Sequence, residues 1–322
     1  MRRIYILLIV LCLLLSGCDT TTTAVDDSPL DRSTTAATTA PTTPPAPTQP
    51  KPVFGWVTEN QQTCYIKEDG TRHTGWLDLD GKRYYLNEDG ILQTGWLQLD
   101  GKEYYLKIDG SITRGKATID EKTYFFTSAG VNTLVVNPWN PMPEGYTPQL
   151  AEVGRKHKVD AVCLEPLLRM LADCEAAGFD PAICSSYREH EVQIELYDAK
   201  VEYFLKKGYS LALAKKEAGT IVAVPGTSEH ELGLALDLVD NGNWDLDESQ
   251  ENTPAQKWLM EHCWEYGFVL RYPKDGREST GIIYEPWHYR YVGHELAEEI
   301  HELGITLEEY INNLTETPAD AQ

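Results

Sequence analysis

The stretch that decides the fold reads Pro225-Gly-Thr-Ser-Glu-His230-Glu-Leu-Gly-Leu-Ala-Leu-Asp237-Leu-Val-Asp240. Its first three residues are a turn signal, so we expect Ser228 to His230 to lie on an exposed loop. The apolar run from Leu234 to Val239 reads as a buried strand that carries one acidic residue, Asp237. A carboxylate among apolar neighbours is costly unless it is paired or binds a cation. Asp237 is therefore either salt-bridged to an arginine or a metal ligand.

A second stretch, Glu285-Pro-Trp-His-Tyr-Arg-Tyr291, favours the metal. On its own, His230 would be an ordinary loop histidine. Together with Asp237 and His288, however, it gives two imidazoles and one carboxylate, a set that suits Zn²⁺ and leaves the fourth tetrahedral position open for water. Glu285, three residues before His288, is then a spare carboxylate that can serve as the general base for metal-assisted hydrolysis.

These motifs resemble those of the VanY-type zinc D-alanyl-D-alanine carboxypeptidases and of the related L,D-carboxypeptidases. The resemblance extends over roughly residues 145–305 and includes Ser185-Ser-Tyr-Arg188 and Arg271-Tyr272-Pro. It implies His230, Asp237 and His288 as zinc ligands and Glu285 as the catalytic base. The further residues that it implies are Arg188 for the substrate carboxylate or the oxyanion, and Gln193, Ser228 and Tyr272 for substrate contacts. The planar guanidinium of Arg188 suits either anion.

The pattern of residues 146–314 predicts an α+β domain with a small antiparallel sheet and flanking helices. Apolar residues from Val162 to Cys174 fall at helical spacing. Further predicted helices are Glu189–Lys206, Leu211–Ala218, Pro254–Tyr266 and Gly293–His301. Predicted strands begin at Pro181 and cover Phe268–Arg271 and Glu285–Tyr291.

Residues 53–133 contain an internal repeat. Gly-Trp pairs recur at 55–56, 75–76 and 95–96, and Asp-Gly-Lys-x-Tyr-Tyr occurs at 80–85 and 100–105; a degenerate fourth unit covers 115–130. Each unit reads as a β-hairpin with an Asp-Gly turn. Because one hairpin is marginal in water, we expect the units to stack into an all-β solenoid that precedes the peptidase domain.

This repeat resembles the choline-binding, or cell-wall-binding, repeats of Gram-positive surface proteins. The resemblance implies that aromatic rings surround a quaternary ammonium group, which is cation–π recognition. By match, the cage residues are Trp76, Trp96, Tyr85 and Tyr105. The alternatives are that these rings only pack the solenoid, or that the repeats bind glucan. Cys64 replaces the first tyrosine of the expected pair, so the first site is expected to be impaired.

The N-terminal segment predicts export. Met1-Arg-Arg precedes an apolar run from Ile4 to Leu15, and Leu15-Ser-Gly-Cys18 resembles a bacterial lipobox. We therefore predict a lipoprotein signal peptide at 1–17 and lipidation of Cys18; an ordinary cleaved signal is the alternative. The other predicted segments are a disordered Thr/Pro-rich tether at 18–52, a linker at 134–145 and a disordered tail at 315–322. The protein is thus expected to be extracytoplasmic, lipid-anchored in the cell membrane and facing the wall.

Charge and cysteine content narrow the class of function. The formal net charge of −22 argues against nucleic acid as a partner, while it permits a wall polymer decorated with choline cations. Five cysteines, Cys64, Cys163, Cys174, Cys184 and Cys263, follow Cys18, and their pairing cannot be read from the sequence.

The sequence leaves two alternative functions open, and the first of them is the one that we expect. The first is a zinc carboxypeptidase that removes the C-terminal D-alanine from peptidoglycan stem peptides, with D,D- and L,D-specificity both open. The second is a wall-binding adhesin whose peptidase-like domain is inactive.

Overall fold

The computed structural model describes residues 54–314, all of which belong to one compact unit, Pro52–Gln322. The predicted signal peptide, the predicted lipidation site Cys18, the predicted tether and the predicted tail at 315–322 lie outside the described residues. Within residues 54–314, no helix is long and apolar enough to cross a membrane.

The repeats form four β-hairpins in succession. Their strands are β1 Gly55–Glu59, β2 Gln62–Ile66, β3 Gly75–Leu79, β4 Lys82–Leu86, β5 Gly95–Leu99, β6 Lys102–Leu106, β7 Gly115–Ile119 and β8 Lys122–Phe126, with β9 Asn132–Thr133 added beside β8. Both turn residues of the second hairpin have positive φ, 52° at Asp80 and 76° at Gly81. That backbone matches the twist of a hairpin and explains the Asp-Gly signal.

Neighbouring hairpins are joined by backbone hydrogen bonds and close packing. The amide of Leu92 donates to the Thr63 carbonyl, and the amide of Ile112 donates to the Arg83 carbonyl. Gly110 (φ +81°) lies so close to the preceding unit that a Cβ there would be 2.7 Å from the Leu92 side chain. The expected stacked arrangement of hairpins is therefore confirmed.

The second part of the chain is an α+β domain, as predicted. Its helices are α1 Ala161–Ala176, α2 His190–Lys206, α3 Leu211–Gly219, α4 Pro254–His262, α5 Arg277–Thr280, α6 His294–Leu303 and α7 Leu307–Asn313. Its strands are β10 Leu150–Val153, β11 His157–Asp160, β12 Pro181–Ser185, β13 Ala235–Asp240, β14 Phe268–Tyr272 and β15 Glu285–Tyr291. The helix predicted from Pro254 to Tyr266 divides, because a 3₁₀ turn, Cys263–Tyr266, follows α4.

A four-stranded antiparallel sheet in the order β12-β13-β15-β14 organises this domain. Leu236 and Leu238 of β13 and Tyr289 of β15 enter a core that helices α1 and α4 share. Since successive side chains on a strand point to opposite faces, Asp237 and His288 lie on the other face of the sheet. The core and the candidate site thus occupy the two faces of the same pair of strands.

The prediction of an exposed loop at Ser228 to His230 is wrong. Residues Glu229–Leu232 form a buried 3₁₀ turn, and Ser228 and His230 are 3% and 4% exposed. The turn ends at Gly233, whose φ is +72° and whose Cα lies against β11, since a Cβ there would be 2.9 Å from the Asp160 amide nitrogen. This close approach draws the turn into the interior.

The segment 134–145, predicted as a linker, packs against both parts of the chain. Val135 and Val136 are buried, and the Asn137 side chain donates to Glu308 of α7. Lys102 of the third hairpin forms a salt bridge of 2.8 Å with Glu295 of α6. An extended interface therefore joins the repeats to the α+β domain.

The five cysteines in the described part of the chain are all free. Burial raises the pKa of the Cys163, Cys174 and Cys263 thiols to about 12. These thiols are therefore protonated and unreactive at neutral pH.

Replacing Gly110 by Ala is expected to destabilise the protein more than replacing Gly101, the matched control. Both residues have positive φ, which costs an alanine about 1–2 kcal/mol. Only Gly110 adds overlap with Leu92, worth about 1–3 kcal/mol, because nothing lies within 4 Å of a Cβ at Gly101. Urea unfolding of the two full-length variants checks this, and equal midpoints would contradict the packing described here.

Candidate active site

Three ligating side chains meet on the open face of the sheet: His230 from the 3₁₀ turn, Asp237 from β13 and His288 from β15. Asp237 and His288 are direct partners in the β13–β15 register. The Nε2 atom of His230 is 3.4 Å from Asp237 Oδ2, and the Nδ1 atom of His288 is 3.2 Å from Asp237 Oδ1. All three ligand atoms lie within 4.8 Å of one another, and all three residues are buried.

The electrostatics of this cluster fit a cation. Burial by itself would raise the pKa of Asp237, but the imidazoles of His230 and His288 outweigh it and hold that pKa well below its usual range. Burial also lowers the pKa of His230, which keeps its ring neutral. Asp237 Oδ1 is buried without a hydrogen-bond partner among the described residues. An ionised carboxylate with a spare lone pair beside two imidazole nitrogens suits Zn²⁺.

The orientation of the His230 ring is set by a contact on the side away from Asp237. Its Nδ1 atom lies 2.8 Å from the Ser186 carbonyl oxygen, to which a ring N–H can donate. That hydrogen bond leaves Nε2, which faces Asp237, as the nitrogen with a free lone pair.

Glu285 begins β15 beside the cluster, with Oε2 3.6 Å from His288 Nδ1. Burial raises the pKa of its carboxyl to about 8, and the nearby Asp237 carboxylate acts in the same direction. Glu285 lines a cleft of about 250 Å³, together with all three residues of the cluster. The structure therefore brings the four residues of the predicted metal site together.

Arg188 lies at the edge of the same cleft. Its guanidinium is held by Gln193 Oε1 at 2.7 Å and by Ser185 Oγ at 3.0 Å, and it approaches Asp237 Oδ2 to 3.8 Å. Gln193 is fully buried, and its amide nitrogen donates to the Ala223 carbonyl. Gln193 thus fixes Arg188 from behind, whereas the resemblance implied that it contacts the substrate directly.

Ser228 and Tyr272, the other two expected substrate contacts, both line the cleft. The Tyr272 ring is 4.7 Å from the His288 ring. Burial raises the pKa of the Tyr272 hydroxyl well above its usual range, so it remains a hydrogen-bond donor. Lys200 of α2 adds a second cation to the wall of the cleft, and the sequence analysis did not single it out.

A buried ionic cluster behind His288 is not evident from the sequence. It consists of Glu229, Arg271, Arg290 and Glu308, joined by salt bridges of 2.5–2.8 Å. Glu229 stands in the stretch quoted first, and Arg271 in another quoted motif. Their partners, however, lie 37 to 61 residues away along the chain, beyond the reach of local patterns.

The aromatic residues of the repeats form three triads, each with a tryptophan between two tyrosines. Each tryptophan contacts the tyrosine opposite it in its own hairpin and one tyrosine of the next hairpin, at centroid distances of 4.8–5.2 Å. The triads are Trp56–Tyr65–Tyr84, Trp76–Tyr85–Tyr104 and Trp96–Tyr105–Tyr124. The four predicted cage residues therefore belong to two separate triads.

Cys64 does not interrupt the ring contacts of Trp56. Trp56 has both of its tyrosine neighbours, because the second one, Tyr84, comes from the following hairpin. Cys64 stands at the position from which Tyr84 and Tyr104 reach back to the preceding unit. Its substitution therefore leaves the Trp56 triad complete.

The fold and the site together define the class: an α+β domain with a His/Asp/His metal centre and a spare glutamate, the arrangement of a zinc peptidase. The comparisons agree. The family described as VanY, D-alanyl-D-alanine carboxypeptidase, matches residues 156–294, and the putative cell wall binding repeat matches residues 74–92 and 94–112. The chain belongs to the VanY D-alanyl-D-alanine carboxypeptidase family.

Three similar proteins show the extent of the match. A D-alanyl-D-alanine carboxypeptidase of Enterococcus faecalis is 45% identical over 56% of this chain and 65% of its own length. The structure of VanYB in complex with D-alanine-D-alanine is 42% identical, with a TM-score of 0.52, over 57% of this chain and 98% of that one.

A mutant of the vancomycin-resistance D,D-pentapeptidase VanY in complex with Zn(II) is 41% identical, with a TM-score of 0.51, over 56% and 98% of the two chains. The chain spans 65%, 54% and 42% of the lengths of three curated relatives.

Proposed function

We propose that this protein is a zinc-dependent carboxypeptidase that removes the C-terminal D-alanine from peptidoglycan stem peptides. The observation that carries the proposal is the convergence of His230, Asp237 and His288, with Glu285 3.6 Å from His288, in one cleft. The proposal also rests on the likeness to proteins named D-alanyl-D-alanine carboxypeptidases. A zinc ion held by the two histidines and Asp237 would polarise the attacking water and the scissile carbonyl.

Glu285 and Arg188 supply the remaining chemistry. Arg188, fixed by Gln193 and Ser185, binds the carboxylate at the end of the peptide and so places the last peptide bond beside Glu285. Glu285 takes a proton from the attacking water and gives it to the departing amine of D-alanine. Burial, which raises the pKa of this carboxyl group, favours its holding the proton between the two transfers.

Replacing Glu285 by Gln is expected to leave zinc bound and to lower kcat by about 10²- to 10⁴-fold, the usual contribution of a general base. Zinc content by plasma mass spectrometry and D-alanine release are the two measurements. Glu298→Gln, an exposed carboxylate on α6, is the control and should keep full activity. An active Glu285→Gln variant would show that the base is another residue. A wild-type protein that binds zinc but releases no D-alanine would support the inactive adhesin instead.

We further propose cleavage between two D-alanines, since the relatives that match the cleft are named for D-alanyl-D-alanine substrates. Mass spectrometry of defined stem peptides after incubation distinguishes the two specificities. We expect the pentapeptide, which ends in D-Ala-D-Ala, to lose one alanine at least 10-fold faster than the tetrapeptide, which ends in an L,D bond. The reverse order would assign the protein to the L,D-carboxypeptidases.

For the repeats, we infer recognition of a quaternary ammonium group such as the choline of a wall polymer. Three aromatic triads offer electron-rich ring faces, and the matched repeats carry two of their tryptophans. The triads are not equivalent. The Arg83 guanidinium lies 4.9 Å from the centre of the Trp76 ring, which already supplies that triad with a cation.

Titration calorimetry with choline checks this inference. We expect Trp96→Ala to remove one site, whereas replacing Trp244, an exposed tryptophan outside the repeats, by Ala should leave binding unchanged. Arg83→Thr, which installs the residue found at 63 and 123, should add a site at Trp76. Absence of choline binding to the wild type, together with binding of glucan, would replace the cation by a glucan as ligand.

We also propose that the protein acts outside the cytoplasm, anchored through a lipid on Cys18. The charged and apolar N-terminal run and the lipobox-like Leu15-Ser-Gly-Cys18 support this placement. The wall-binding repeats are consistent with it, because a choline-bearing or other wall polymer would be reached only outside the membrane.

A further inference from the structure

In the buried ionic cluster behind His288, one carboxylate oxygen of Glu229 lacks a hydrogen-bond partner in the described part of the chain. Glu229 Oε1 accepts from Arg271 Nε at 2.8 Å and from Arg290 at 2.7 Å. The remaining two nitrogens of the Arg271 guanidinium donate to the two carboxylate oxygens of Glu308, at 2.7 and 2.5 Å. Two guanidinium groups and two carboxylates thus balance in charge. The Glu229 side chain is buried completely, yet among the described residues only its Oε1 atom accepts hydrogen bonds.

The second oxygen, Oε2, faces His288. It is buried without a hydrogen-bond partner among the described residues, and the same holds for His288 Nε2. These two atoms lie 3.7 Å apart, while the other ring nitrogen of His288, Nδ1, faces Asp237 at 3.2 Å. A buried polar atom without a partner is costly. Two such atoms directed at each other are therefore matched as donor and acceptor.

We propose that Glu229 is a positioning residue for the metal ligand His288: its Oε2 is the hydrogen-bond acceptor for the Nε2–H group, which leaves the Nδ1 lone pair directed at the metal. This inference rests on the proposed zinc site. The hydrogen bond that the second nitrogen of a ligating histidine makes sets both its tautomer and its ring orientation. Ser186 does the same for His230 with its backbone carbonyl, so each imidazole has an acceptor on the side away from Asp237.

The arginine pair explains why the acceptor can be a carboxylate. Arg271 and Arg290 both bind Oε1 and keep the carboxylate ionised, while Oε2 lies toward His288. Arg271 is in turn fixed by Glu308 on α7, whose carboxylate accepts hydrogen bonds from Arg271 and Asn137. The two carboxylates therefore have different roles. Glu229 faces the metal ligand His288, whereas Glu308 holds Arg271 in place.

Glu229→Gln tests the proposal sharply, because a glutamine has only one acceptor. The two arginines donate to its side-chain oxygen, so its amide nitrogen faces His288 Nε2 and donates toward it. The ring must then carry its proton on Nδ1, the nitrogen that faces the metal. We expect zinc affinity to fall about 10- to 100-fold, the range found when outer partners of metal ligands are changed. The measurement is competition with a chromophoric chelator for zinc in the full-length protein.

Glu308→Gln is the matched control, since it disturbs the same buried cluster at the carboxylate that binds Arg271. Its zinc affinity should stay within about 3-fold of the wild type. Equal losses in the two variants, or an unchanged affinity in Glu229→Gln, would overturn the proposal.

A second measurement does not depend on the variants folding. Nitrogen-15 NMR of the zinc-loaded wild type should show the His288 proton on Nε2, and a proton on Nδ1 would overturn the positioning role. A wild type that binds no zinc would instead refute the proposed function itself.

Discussion

Asp237 places an ionised carboxylate in the middle of a four-stranded sheet, where an unpaired charge would cost several kcal/mol. The structure offsets that cost locally, because the antiparallel register puts His288 directly opposite Asp237 and the 3₁₀ turn brings in His230. One carboxylate oxygen still has no hydrogen-bond partner in the described part of the chain. A buried carboxylate oxygen without a partner would destabilise an apolar core, but it is what a divalent cation requires. The residues around Asp237 hold it in this position.

Side chains along β13 and β15 alternate between the two faces of the sheet, which allows a polar site and an apolar core on the same strands. Leu236, Leu238 and Tyr289 fill the core, while the residues between and beside them form the site. The strands that stabilise the domain thus also position Asp237 and His288, and the buried 3₁₀ turn adds His230. The helices α1 and α4 bury one face, and the cleft lies on the other.

The sequence predicted much of this, for reasons that can be stated residue by residue. The strand Glu285–Tyr291 and the helix Glu189–Lys206 were predicted to within a residue, since both depend on local patterns. The metal site could be assembled because its ligands stand in recognisable motifs. The burial of Ser228 to His230 was missed, since it depends on the contact of Gly233 with Asp160, 73 positions earlier in the chain. Tyr84, Tyr104 and Tyr124 were missed as triad members because they reach across from the next repeat, which a pattern within one unit cannot show.

The repeats and the α+β domain are joined because the last hairpin, like the others, has an apolar surface that must be covered. In a solenoid each repeat covers its neighbour, so the last one needs a cap. Here the cap is the α+β domain itself: Phe125 of the last hairpin and Val135 share a core with Ile300 of α6 and Ile311 of α7. Helix α7 also carries Glu308, which binds Arg271 in the cluster behind His288. Helix α7 therefore both closes the solenoid and supports the cluster behind His288. The repeats are held at a fixed orientation to the cleft and not on a free tether.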